Sequence, residues 1–373
     1  MTLTSETRDS RLTRRLLSLV ALGLLIFLVG LIVAPERAWG GWLAASAGLF
    51  SLGLAGPFFM AMFALTRARW ADPLRPILEA MGTLVTPAAI ALYLTLLGSS
   101  TLYAWASSDA HGVSHNGWLG IVPVAIRQAV VLAAFVWLSR RMIQGSVRRR
   151  EGTESEDAEL LRSGLFLLAF AFLISLVGID WLMSLDVHWY STMYGVYLFA
   201  GTMVGGISLI AILAIVPSRP LTLGSLRESQ IHDLGKLLFV WGFFWAYIWF
   251  CQWMLIWYTD IPEEASWYTI RMQNGWKGLF YLDLILNGAV PFLVLLSAGM
   301  KKKPHVVVRV AAIVLIGRAL DLFILVTPVV VDRPPSGLWE FGPVLAAGAF
   351  LFWKVLVPAR ASSSLLAEAP LSS

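Results

Sequence analysis

Residues 16–34, LLSLVALGLLIFLVGLIVA, contain no charged side chain, and apolar runs of similar length recur along the chain. An apolar helix of about 20 residues spans the roughly 30 Å hydrocarbon core of a bilayer. In that medium a helix satisfies its own backbone hydrogen bonds, which an open sheet edge cannot do. Of the 373 residues, 58% are hydrophobic and 14% are charged, with a mean hydropathy of +0.74. Soluble domains carry about 25% charged residues. The expected fold is therefore an all-α, polytopic membrane protein with one integral membrane domain over 1–373.

Ten spans are expected, near 15–34, 40–65, 77–98, 119–140, 160–182, 190–216, 234–258, 277–300, 305–331 and 338–357. The connections alternate in charge. One set holds Arg8, Arg11, Arg14, Arg15, Arg67, Arg69, Arg75, the run from Arg140 to Arg162, Arg219, Arg227, Lys236, Lys301 to Lys303, Arg309, Lys354 and Arg360. The other set holds only Arg37, Arg271, Lys277 and Arg333. Short loops rich in Lys and Arg stay in the cytoplasm, so both termini are expected inside. Trp39, Trp105, Trp118, Trp181, Trp189, Trp257, Trp267, Trp276 and Trp339 sit near the outer span ends, where amphipathic rings prefer the interface. The tail 358–373 is small and polar, and is expected to be flexible.

Several chemistries are excluded. Cys251 is the single cysteine, so the chain has no internal disulfide, no CxxCH haem attachment and no four-cysteine cluster. His111, His115, His188, His232 and His305 all fall in loops or at span ends, which argues against a haem held within the membrane. HGVSH (111–115) has metal-compatible spacing but no third ligand nearby. No metal site is expected. The net charge of +5 follows from topology and implies lipids, not nucleic acid, as the contact.

Ionisable residues inside a span cost roughly 2.5–3.5 kcal/mol each on insertion scales, so each needs a partner or a task. The outer halves of the spans carry Arg127, Asp180, Asp283, Arg318 and Asp321, with Asp186 and His188 just beyond. Arg127 is the expected partner of both Asp180 and Asp283. Arg318 and Asp321, three apart, share a face and can neutralise each other. An inner set comprises Glu79, His232, Asp233 and Lys236. Spans two to five (40–182) and six to nine (190–331) run in the same directions and carry charges at matching places. That pattern suggests two parallel four-helix units plus peripheral helices.

The stretches DWLMSLDVHWYSTMYGVYLFAG (180–201), HDLGKLLFVWGFFWAYIWFCQWMLIWYTDIPEE (232–264) and SWYTIRMQNGW (266–276) resemble the NrfD-like membrane subunits of bacterial alternative complex III. The similarity runs over most of the chain, and within that family it favours the shorter of the two large membrane subunits. Val187 stands where the family pattern has proline. The resemblance implies a membrane subunit of a quinol-oxidising complex with no haem, iron–sulfur cluster or covalently bound cofactor of its own. It also implies partners: a multihaem cytochrome c subunit, an iron–sulfur subunit, a paralogous C-type membrane subunit and small membrane anchors. A bacterial inner (cytoplasmic) membrane is the location implied by this resemblance of residues 180–276.

Three readings remain open. In the first, the inner and outer sets carry protons, bridged by hydroxyls such as Thr83, Thr86, Ser208 and Tyr247. In the second, a quinone (menaquinone or ubiquinone) binds near the outer face, with His188 and Asp180 or Asp283 as base and Trp181, Trp189, Tyr194 and Phe199 as walls. In the third, the chain is a stand-alone secondary transporter. The charge alternation predicts that a reporter active only in the cytoplasm works when fused at either terminus. An inactive fusion at one end would overturn the even span count.

Overall fold

Prolines set where several helices break. The computed structural model describes residues 2–107, 117–216, 222, 226–334 and 337–367, and among these there is no strand. The first helix, α1 (Thr2–Val33), ends at Ala34, which is driven out of the helical region by Pro35. Pro35 opens α2 (Pro35–Leu65) at a position where a missing N–H is not needed. The third span, α3 (Arg69–Leu102), is a succession of short helical pieces. One break falls at Leu84, where Pro87 cannot donate to the carbonyl of Thr83.

The remaining helices are α4 (Ile121–Arg150), α5 (Glu156–Leu185), α6 (Tyr194–Ile215), α7 (Glu228–Thr259), the short α8 (Pro262–Met272), α9 (Lys277–Leu295), α10 (Pro304–Val330) and α11 (Phe341–Ala367). Nine of these are long and apolar enough to cross a membrane, among the described residues. The tenth expected span corresponds to α11, whose described apolar part is Phe341–Leu356. α4 continues as helix past the expected span end at 140, through an arginine-rich segment to Arg150.

Three helices form the centre. In their most apolar windows α6 is 83% buried, α2 72% and α10 67%, against 17% for α1. α2 touches α1, α3, α4, α5, α6, α10 and α11, while α6 touches α2, α3, α5, α7 and α10. Small residues allow this closeness. Any side chain at Gly56 would strike the Leu78 carbonyl, and one at Gly206 would strike Ala55. Without water to expel, helices in lipid associate through such tight van der Waals contact. α1 packs along α11 and leaves Leu25, Leu28 and Ile32 exposed.

α8 lies across one end of α10 and repairs a defect there. Pro328, inside α10, cannot donate to the Ile324 carbonyl. Arg271 of α8 does so instead: Nε is 3.0 Å from Ile324 O and Nη2 is 2.9 Å from Leu325 O. Its third donor reaches Trp267 O at 2.8 Å, and the guanidinium stacks 3.6 Å from the Trp267 ring. Burial pushes Arg271 down to about 10, so it stays a cation at neutral pH. Arg271→Met leaves two buried carbonyls short of donors and is expected to destabilise the fold by about 1–3 kcal/mol. Thermal unfolding in detergent checks this, and an unchanged midpoint would remove the capping role.

Candidate functional site

A turn of π-helix, Gly178–Leu182, interrupts α5 at Asp180. Such a turn admits one extra residue and re-aims the side chains around it. Asp180 is fully buried and receives a two-pronged ion pair from Arg127 of α4, with Nε–Oδ2 and Nη2–Oδ1 both 2.7 Å. Gln128 donates to Asp180 and to the Leu176 carbonyl, and accepts from the Trp181 indole at 2.8 Å. Tyr103 donates to Trp181 O at 2.9 Å, and Trp105 donates to Ser184 O at 3.2 Å. The Arg127 guanidinium also stacks on Trp118, 4.0 Å from the ring centroid. This centre holds one cation and one anion, and both carboxylate oxygens are engaged.

The second centre joins α6, α7, α9 and α10. Asp283 of α9 is buried and accepts from Asn287 Nδ2 at 2.7 Å. Asn287 lies in a second π-helical turn, Ile285–Ala289, and packs where a side chain on Gly317 would otherwise stand. On α10, Arg318 pairs with Asp321, which also accepts a hydrogen bond from the Tyr197 hydroxyl of α6. The guanidinium of Arg318 occupies the space that a side chain at Gly201 would fill. Asn287 Oδ1, Arg318 Nη2 and Trp245 Nε1 are buried without a hydrogen-bond partner. The Trp245 ring is 5.8 Å from that of Tyr197. Arg318 is thus paired with Asp321, while Asp283 has an amide partner and no ion pair among the described residues: protonated it is neutral, and ionised it leaves one negative charge unbalanced.

At the arginine-rich end of α3, α4 and α5 the ionisable groups form a continuous chain. Arg150 and Ser146 both donate to Glu79, at 2.8 and 2.7 Å. Arg75 reaches Ser146 at 3.4 Å, Asp72 at 3.0 Å and Glu159 at 3.2 Å, and Arg149 also pairs with Glu159. A crevice of about 630 Å³ opens beside Arg75, Arg149 and Glu159. Glu154 is held by Arg162 and Arg148. Burial works against its ionisation, but the two guanidinium groups outweigh this and keep the carboxyl below its ordinary range. In the second half Asp233 pairs with Lys236 at 2.5 Å, with His232 half-buried beside it.

The expected set of outer charges therefore separates into the Arg127–Asp180 pair, the Arg318–Asp321 pair and Asp283 with Asn287. Arg127 serves Asp180 alone, and Asp283 finds Asn287 in its place. His188 is exposed, and its backbone N–H donates to Asp186 Oδ1 at 3.1 Å, which steadies the turn that lacks proline at 187. Trp189 is buried, stacks on Trp267 at 5.6 Å and donates to Glu264 O. Trp181 faces Gln128 instead. His188, Asp180, Trp181 and Trp189 thus share no direct side-chain hydrogen bond with one another. Thr83 and Ser208 donate to carbonyls of their own helices, and Tyr247 is exposed. Among the described residues, buried hydroxyls without partners are instead those of Thr95, Ser139, Ser163 and Thr327, on α3, α4, α5 and α10.

Gln128, Tyr197, Trp245 and Asn287 carry no net charge, and a search for intramembrane charge passes over them. His111 and His115 lie outside the described residues. Among the described residues, no group of three or more His, Cys, Asp or Glu side chains is arranged to hold a metal ion. No protein-family model matches the chain, and no curated protein matches it either.

The Arg127–Asp180 pair generates a cycle of substitutions. Arg127→Leu or Asp180→Leu alone leaves a buried charge unpaired and is expected to cost about 3–5 kcal/mol. The double substitution is expected to recover much of that loss. Equal and additive losses in unfolding midpoint would show that the two residues do not act as a pair.

Proposed function

We propose that this chain is an integral membrane subunit of a quinol-oxidising electron-transfer complex of the alternative complex III kind, and that it supplies scaffold and a transmembrane proton pathway. The observation that carries the reading is the second centre, where Asp283 is buried with Asn287 as its hydrogen-bond donor and without an ion pair among the described residues, on a helix that packs against the one bearing the Arg318–Asp321 pair. A buried set one charge short of balance takes up and gives back one proton with little other change, whereas the balanced Arg127–Asp180 pair has no such capacity. Unpartnered atoms on Trp245, Asn287 and Arg318 give ordered water a place to hydrogen-bond beside it.

In this reading α2 to α5 form one four-helix unit and α6, α7, α9 and α10 the other, with both termini in the cytoplasm of a bacterial cell. The Glu79–Ser146–Arg75 chain and the Asp233–Lys236 pair stand at the cytoplasmic end and collect protons. The centre at Asp283 and Asp321 passes them outward. Electron transfer belongs to partner subunits, a multihaem cytochrome c and an iron–sulfur protein, beside a paralogous membrane chain and small anchors. Membrane-embedded carboxyls with a partner are characteristic of proton relays.

Asp283→Asn keeps the hydrogen-bonding shape and removes the titratable group. In the whole complex reconstituted into vesicles, quinol oxidation is expected to continue while the number of protons moved per electron falls. An unchanged ratio would overturn the reading.

A further inference from the structure

At the arginine-rich end of α2 to α5, a crevice opens between the end of α2, the start of α3, Arg149 of α4 and the start of α5. Part of its lining is apolar, with Met60, Phe63 and Leu160 among it. The charged part sets Arg67, Arg69, Arg75 and Arg149 against Asp72, Glu156 and Glu159. These carboxyls are unevenly placed. Glu159 takes both Arg75 and Arg149, and Asp72 takes Arg75 again. Glu156 and Arg67 meet at 3.3 Å with 60% and 72% of their side chains exposed, a pair that water weakens. Arg69 is exposed, and its side chain has no hydrogen bond or ion pair among the described residues.

Arg67 also has an unusual backbone. Its φ is 51°, in the left-handed region, just past the cap of α2. Ala68 N–H returns to Phe63 O at 2.9 Å and Arg67 N–H to Ala64 O at 3.1 Å, the helix-ending turn in which glycine is usual. An arginine there accepts a conformational cost that glycine avoids.

We propose that this crevice seats the head of an anionic phospholipid, with phosphodiester oxygens accepting from Arg67 and Arg69 and the start of an acyl chain against Phe63 and Leu160. Three observations select that occupant. The first is charge: four guanidinium groups line the crevice with three carboxyls, so one monovalent phosphodiester balances the set, whereas a zwitterionic head brings a cation of its own. The second is level: each contributing segment lies at the end of a candidate span, where lipid phosphates sit, and not at hydrocarbon depth. The third is the apolar surface beside it. Leu161, Leu165, Leu168 and Phe172 recur along α5 at helical spacing, each more than half exposed, and give an acyl chain a track leading away from Leu160. A free anion would gain the charge match and nothing from that track. Neither quinol chemistry nor proton movement enters the site.

The test uses the whole purified chain in maltoside micelles and a phosphatidylglycerol carrying a fluorophore at its acyl end. Fluorescence polarisation is expected to rise to a saturating value. Unlabelled phosphatidylglycerol is expected to displace the probe, whereas phosphatidylcholine, millimolar inorganic phosphate and an oligoglutamate peptide are not. Arg69→Gln removes the unpaired guanidinium without stranding a carboxyl. It is expected to weaken binding about tenfold while leaving the unfolding midpoint of the lipid-free chain in place. Lys303→Gln removes an exposed cation at the start of α10, outside the crevice, and is expected to leave binding unchanged. Displacement by phosphate would point to a site for the bare ion, and displacement by oligoglutamate to one for an acidic peptide. Equal losses from Arg69→Gln and Lys303→Gln would show a general attraction to basic surface. Each of these outcomes would overturn the proposal, as would binding that does not saturate.

Discussion

The guanidinium of Arg318 rests in the space left by the missing side chain of Gly201, and the middle of the molecule is arranged around that contact. α6 and α10 come close enough to touch only because α6 offers glycine at 201 and 205. The same closeness delivers the Tyr197 hydroxyl of α6 to Asp321 of α10. On its other side Arg318 borders an apolar crevice under α11. In a medium without water a cation must be matched by protein groups, so the position of one arginine constrains four helices.

The two buried centres solve the same problem differently. At Asp180 the match is complete: one cation, one anion, two parallel hydrogen bonds and a glutamine that fills the remaining acceptor. At Asp283 the match is left incomplete, with an amide donor and no cation on the carboxyl and three polar atoms of the centre without partners among the described residues. Both centres adjoin a turn of π-helix, which widens the helix locally and turns a polar side chain inward. The first arrangement suits a structural tie between α4 and α5. The second leaves a buried carboxyl without a cation, which is why proton exchange is proposed there.

The legible part of the site was its charge. Arg127, Asp180, Asp283, Arg318 and Asp321 stand out because each is expensive in lipid, and all five are partly or wholly buried. Their partners were harder to read. Gln128, Asn287 and Tyr197 are unremarkable in a sequence, and only helix packing brings them within reach of a carboxylate. Arg271 reads as a loop residue on the less basic side, yet it is fully buried against carbonyls exposed by Pro328, more than fifty positions away. His188 shows the converse. Its neighbours in sequence suggested a pocket, but alternate residues of the turn face different ways and leave the imidazole exposed.

By itself the sequence determined the membrane as solvent, the helical class and the approximate place of each span, because these follow from local hydropathy and from the need of each backbone to satisfy itself. It also determined which residues pay a desolvation cost. Tertiary structure alone decided which charges meet, since helices far apart in the chain approach only where both carry small residues at one level. It also decided that α11 leaves an open crevice instead of sealing against α2 and α10. Those outcomes depend on the shape of contacts between helices, to which the hydropathy of any one helix is blind.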